Sequence, residues 1–180
     1  QGDRAIILSF QNALIFGKDV SAIDYFFNQG VRMFALTHMG HNDFADSSRP
    51  LFNAATGERE ATAEHGGLST KGVAAVARFN ALGAVIDVSQ LSTAETLQVV
   101  AESTAPVVAS HSNARALTDV SRNLSDQEIR RIAAAGGVVH VAPFAGYLFD
   151  SNDPAIDGAI RKMRREAGID EDYLYPFELY

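Results

Sequence analysis

Residues 82–123 read LGAVIDVSQLSTAETLQVVAESTAPVVASHSNARALTDVSRN. Two short apolar runs, Ala84–Val88 and Pro106–Ala109, have the length and β-branching of buried parallel strands. Ser92-Thr-Ala-Glu95 between them has the capping-box pattern and predicts a helix start. Each run ends in a polar cluster, Ser89-Gln90 and Ser110-His111-Ser112-Asn113. In a βα barrel the residues just beyond the strand C-termini face the active site. Polar chemistry therefore falls where such a fold would use it.

The rest of the chain repeats the unit. Strands are expected at Arg4–Phe10, Val31–Leu36 and Val138–Ala142. Helices are expected at Asp19–Asn28, ending before Gly30, at Thr70–Leu82, ending at Gly83, and from the capping box Ser125–Glu128 to Ala135. Ala155–Ala167 reads as a mixed-charge helix, with Arg161–Arg165 on its solvated face, and Glu171–Tyr180 is aromatic and acidic without a clear structural reading. Residues 47–67 show little periodicity and read as a long loop over the barrel mouth, a length that is uncommon without a function. Strands alternating with helices imply a parallel sheet. Five strands do not close a (β/α)8 barrel, which typically takes about 250 residues. An open doubly wound sheet and a part of a longer barrel both fit.

Composition narrows the function. The 180 residues are 47% hydrophobic with a formal charge of −7, as expected of one α/β domain with a sizeable core. The acidic balance argues against nucleic acid or an anionic membrane surface as the main partner. No apolar run is long enough to span a bilayer. There is no cysteine, hence no disulfide and no thiolate ligand or nucleophile, which leaves the compartment open between cytoplasm and periplasm or export. No Gly-x-Ser-x-Gly elbow and no phosphate-binding glycine loop is present. Ser110 and Ser112 flank His111, but alternation along a strand would turn neighbouring side chains apart.

Several segments, in one order, carry a family resemblance: Gly30–His38 (GVRMFALTH), Asn42–Ser47 (NDFADS), Gly67-Leu-Ser, Leu82–Asp87 (LGAVID), Ala105–Ser112 (APVVASHS) and Ser121-Arg-Asn-Leu124. Together they resemble the membrane (renal) dipeptidase family, zinc metallodipeptidases on an amidohydrolase-like TIM barrel, collinearly from about Ala5 to Tyr147. The resemblance implies an α/β chain of the (β/α)8 type, a single domain over 1–180 holding about five of the eight βα units.

It also implies roles. His111 matches a zinc ligand, His38 a histidine facing substrate near the tetrahedral intermediate, and Arg122 the arginine that grips the substrate's carboxylate, a task suited to a fixed planar fork. Asp46 matches a structural aspartate. The family's bridging glutamate falls at Gln11 and its second strand-end histidine at Gln90. Neutral amides are weaker ligands than imidazole or carboxylate and poor bridges between two dications. A His-x-Asp pair of the family would precede Gln1, and an aspartate would follow Tyr180. The resemblance thus implies zinc, one or two ions, with His111, Gln11 and Gln90 at the metal-ligand positions, dipeptides or small amides as substrates, and a homodimer as in family members. A segment of a longer hydrolase, a one-metal branch, and a homologue that has lost hydrolysis are all open.

Other polar residues have plainer readings. His41 and His65 are expected on the loop surface, and His140 packed or turned toward a neighbouring helix. Asp87 is expected to hold backbone or a second-shell partner. Arg122 has the alternative of pairing with Asp119 or capping a helix.

Overall fold

The computed structural model describes residues 4–53, 56–148 and 154–166. Five parallel strands form one sheet in the order β1 (Leu8–Gln11), β2 (Val31–Ala35), β5 (Val85–Asp87), β6 (Val108–Ala109) and β7 (Val138–Val139). The small antiparallel pair β3 (Phe52–Asn53) and β4 (Glu58–Arg59) lies within the long loop. Strand order follows chain order without reversal. A doubly wound sheet reverses direction at its switch point, whereas a barrel adds each strand beside the last. The architecture is therefore of the barrel type. Ile6, Ile7 and Leu8 at one edge and Val138 and Val141 at the other carry exposed apolar side chains.

Helices α1 (Ala22–Asn28), α2 (Thr70–Leu82), α3 (Thr93–Glu102) and α4 (Asp126–Ala134) follow the strands, with the short α5 (Ala145–Leu148) and then α6 (Pro154–Glu166). Their starts follow local chemistry. Ser69 Oγ accepts from Gly72 N, and the Ser125–Glu128 box closes in both directions. Ser92 departs from the expected box: its hydroxyl bonds the Glu95 carboxylate instead of accepting a backbone N–H of α3. Gly83 ends α2 in the left-handed region, at φ 69°.

The core is aromatic at the β1–β2 end. Phe34 stacks on Phe79 with centroids 5.0 Å apart, and Phe16 meets Phe44 edge-on at 5.8 Å. Gly72 lets α2 lie on the 42–46 turn: a Cβ there would stand 2.1 Å from the Phe44 carbonyl oxygen.

The strands are shorter than expected, because backbone pairing ends where each chain turns into its loop. The first begins at Leu8 rather than Arg4, and the last ends at Val139 rather than Ala142. A 3-10 turn at Ala13–Phe16, entered through Asn12 at φ 83°, was not legible in the sequence. Two expectations of burial are corrected: His41 on the surface and His140 packed. The His41 side chain is 2% exposed, held between Asp46, Ser47 N and the Ala61 carbonyl. His140 is exposed, and its backbone bonds Ala109 O and Ser112 N. His65 is exposed, as expected, and bonds the Asn42 carbonyl. On α6, Lys162 faces Glu166 at 3.9 Å on a solvated surface. Glu171–Tyr180 lies outside the described residues.

Candidate active site

The C-terminal ends of β1, β5 and β6 bring Gln11, Gln90 and His111 together. Gln11 Nε2 donates to Gln90 Oε1 and stands 3.2 Å from His111 Nε2. Gln90 reaches this point because its backbone adopts φ 71°, held by Thr37 Oγ1 and Ser48 N, both donating to its carbonyl.

Behind the ring lies Asp87. One of its oxygens accepts from Ser89 N at 2.9 Å and Ser110 N at 3.0 Å; the other accepts from Ser110 Oγ. Ser110 Oγ lies 2.6 Å from His111 Nδ1. The hydroxyl proton goes to the carboxylate, so the hydroxyl oxygen accepts from Nδ1–H. That assigns the Nδ1–H tautomer and leaves the Nε2 lone pair toward Gln11. Ser110 thus does contact His111, contrary to strand alternation, because the chain has left β6 for a turn at this point. The order is not that of a nucleophilic triad, in which the imidazole stands between hydroxyl and carboxylate; here the hydroxyl stands between.

Arg122 is 2% exposed. It donates to His111 O at 2.5 Å and Ser112 Oγ at 3.3 Å, and its guanidinium carbon sits 5.2 Å from the Tyr147 ring centre. Nε has no hydrogen-bond partner, and the group makes no ion pair among the described residues. The suggested pairing with Asp119 does not occur. Arg49, also buried, donates to Tyr147 Oη at 3.5 Å. Burial first, then the Arg49 and Arg122 charges, hold the His38 pKa below 6.5. Burial and Arg122 likewise lower His111, against an opposing pull from Asp87. The mouth is therefore a site of positive potential with two imidazoles kept neutral at pH 7.

Asp46 is fully buried. Burial works to raise its pKa, but donation from Gly66, Glu64 and His65 N–H outweighs it and the net shift is downward. It ties the long loop down, in keeping with a structural role. Arg49 and Tyr147 escaped the sequence reading. Neither stands in a strand-end cluster, and only folding of the 47–49 turn and α5 brings them to the mouth.

These residues do not fit a zinc pair. The donor set is one imidazole and two neutral amides, and an amide N–H points at the imidazole lone pair. Among the described residues no group of three or more His, Cys, Asp or Glu could hold a metal ion.

Comparison with known proteins gives the family. The model of the membrane dipeptidase family (peptidase family M19) matches residues 1–170. Dipeptidase aclJ of Aspergillus oryzae is 36% identical over 131 residues, covering 73% of this chain and 29% of aclJ. The probable dipeptidase PvdM from Pseudomonas aeruginosa superposes with a TM-score of 0.78 at 44% identity, over 91% of this chain and 40% of PvdM. A metallo peptidase from Rhodobacter sphaeroides, solved with a phosphinate mimic of the dipeptide L-Ala-D-Ala, superposes at 0.69 with 26% identity, over 88% of this chain and 46% of that one. The chain thus spans less than half the length of each. A five-stranded parallel sheet in barrel order, the strand-end cluster around His111, and a match along nearly its whole length make this chain a member of the membrane dipeptidase family, with part of that family's TIM-barrel-like fold.

Proposed function

We propose that the chain carries the substrate-recognition end of a dipeptidase-like hydrolase acting on dipeptides or small amides with a free C-terminal carboxylate. The observation that supports this is Arg122. A guanidinium so buried, without an ion pair among the described residues, is costly unless an anion joins it. Tyr147 and Ser112 hold its fork in place, and Arg49 adds to the potential. A planar carboxylate is the matching ligand. His38, held neutral by burial and by the Arg49 and Arg122 charges, would donate a hydrogen bond to the oxygen that gains charge as the peptide carbonyl is attacked. His111 offers a lone pair fixed by Ser110 and Asp87, the arrangement that a metal-binding imidazole uses. Because Gln11 and Gln90 do not complete a zinc site, the roles assigned to this chain's residues are those of binding and orientation.

A second reading is favoured by the Gln11–Gln90–His111 contacts: a homologue that binds the same ligands without hydrolysing them, as a binding protein or a biosynthetic tailoring enzyme. One experiment separates the two. Metal content of the intact protein, purified without chelator, is measured by mass spectrometry beside dipeptide binding and cleavage. Bound zinc, with cleavage abolished by His111→Ala, supports the hydrolase. Folded, metal-free protein that binds dipeptides without cleaving them supports the second reading. Carboxylate recognition is tested by C-terminal amidation, which should weaken binding roughly a hundredfold in the wild type and much less in Arg122→Lys. Equal binding of acid and amide by the wild type sinks both readings.

A further inference from the structure

Beside the mouth lies a cavity of about 550 Å³ between the Ser47–Pro50 turn, β4, the start of α3 and the loop before Arg122. That is the size of a small-molecule subsite. Its charge is unusual for a chain of formal charge −7: Arg49, Arg59 and Arg115 all line it, and among the described residues no carboxylate does. The three guanidinium groups come from three separate segments, so they are not one solvated helix face. Arg115 is held by the Asn123 and Ser121 carbonyls, with Glu128 at 3.9 Å offsetting part of its charge. The α3 N-terminus, at Ser92–Ala94, lines the same cavity; Ser92 makes no side-chain cap bond there, and Glu95 is buried in the same first turn.

The cavity is also joined to the site at Arg122. Arg49 lines it and bonds Tyr147 Oη, and the Tyr147 ring carries Arg122 on its face. A ligand held by its carboxylate at Arg122 would therefore have a second cationic chamber within reach. Resting on the carboxylate-binding reading above, we propose that this cavity is an anion subsite that takes a second acidic group of the ligand, a side-chain carboxylate or a phosphoryl group. The substrate class narrows accordingly to acidic or phosphorylated dipeptide-like molecules.

The test is calorimetry on the intact protein with the pairs Ala-Glu against Ala-Gln and Glu-Ala against Gln-Ala, and with inorganic phosphate alone. Each pair differs only in a carboxylate or its amide. The acidic member of at least one pair should bind about tenfold tighter. Arg59→Gln, an exposed position on the β4 hairpin, should reduce that ratio toward one, while Arg130→Gln on the far surface of α4 keeps it. Phosphate binding that is weakened by Arg59→Gln, without a Glu-over-Gln preference, assigns the subsite to a phosphoryl group. Acid and amide members bound alike, with no phosphate binding sensitive to Arg59, overturns the proposal. Because phosphate is titrated alone, the subsite can hold even if no dipeptide binds at all, an outcome that would sink only the carboxylate reading at Arg122.

Discussion

Asp87 sets the tautomer of His111 through a single hydroxyl: Ser110 Oγ donates to the carboxylate and lies 2.6 Å from His111 Nδ1. The imidazole at the centre of the site is thereby fixed with its Nε2 lone pair facing Gln11, 3.2 Å away.

Asp87→Asn should release this arrangement. An amide donates as well as accepts, so Ser110 Oγ is no longer compelled to act as acceptor for Nδ1–H. The 15N shifts of His111 should move toward the Nε2–H tautomer, and urea unfolding should show a loss of about 2 kcal/mol from weakened charge-assisted bonds to Ser89 and Ser110. An unchanged 15N signature would show that the ring is oriented by something else.

Gln11→Glu should change what His111 can bind. A carboxylate in place of the amide donor supplies an anionic oxygen near Nε2 and removes the N–H that now occupies the lone pair. Zinc affinity, measured by competition with a chromogenic chelator, should rise at least roughly tenfold, and His111→Ala in the same background should erase the gain. An affinity equal to that of the wild type would mean that Gln11 is not what limits metal binding.

Glu95 is fully buried at the start of α3, where one of its oxygens takes the Ser92 hydroxyl and Asp46 lies near. Burial, then the nearby Asp46 charge, raises its pKa above 4.5. The folded state therefore retains a proton that the unfolded chain has released, and stability declines as pH rises from 4.5 through the folded pKa. Glu95→Gln keeps an acceptor for Ser92 and removes the charge. It should stabilise the protein by about 1 kcal/mol at pH 7, with the gain vanishing below about pH 4.5. Thermal unfolding of both proteins across that range checks the sign.

Gly72→Ala tests the contact between α2 and the 42–46 turn. Elsewhere in a helix the change would help, but here the methyl would meet the Phe44 carbonyl oxygen at 2.1 Å, and backbone cannot yield as a side-chain end does. Denaturant unfolding should show a loss of about 2 kcal/mol or more. A stabilised variant would mean that the helix is free to shift away from the turn.

The sequence by itself determined the parallel βα architecture, four of the helices to within a few residues, the Ser125–Glu128 cap, and the strand ends where polar side chains collect. These are local signals: apolar spacing, caps and stops act over a few residues and are written into the chain directly. Resemblance added the family and the positions of His38, His111 and Arg122. Only the tertiary structure decided how these side chains meet. Gln11 and Gln90 are 79 residues apart and Gln11 and His111 are 100 apart. Their contact depends on strand register and on the positive φ of Gln90, which no short-range pattern encodes. The same is true of buried His41, exposed His140, the Ser110 bridge, and Arg49 linking the mouth to the arginine-lined cavity. Burial and hydrogen bonding of polar groups are properties of the assembled layers, so they become readable only once the strands lie side by side.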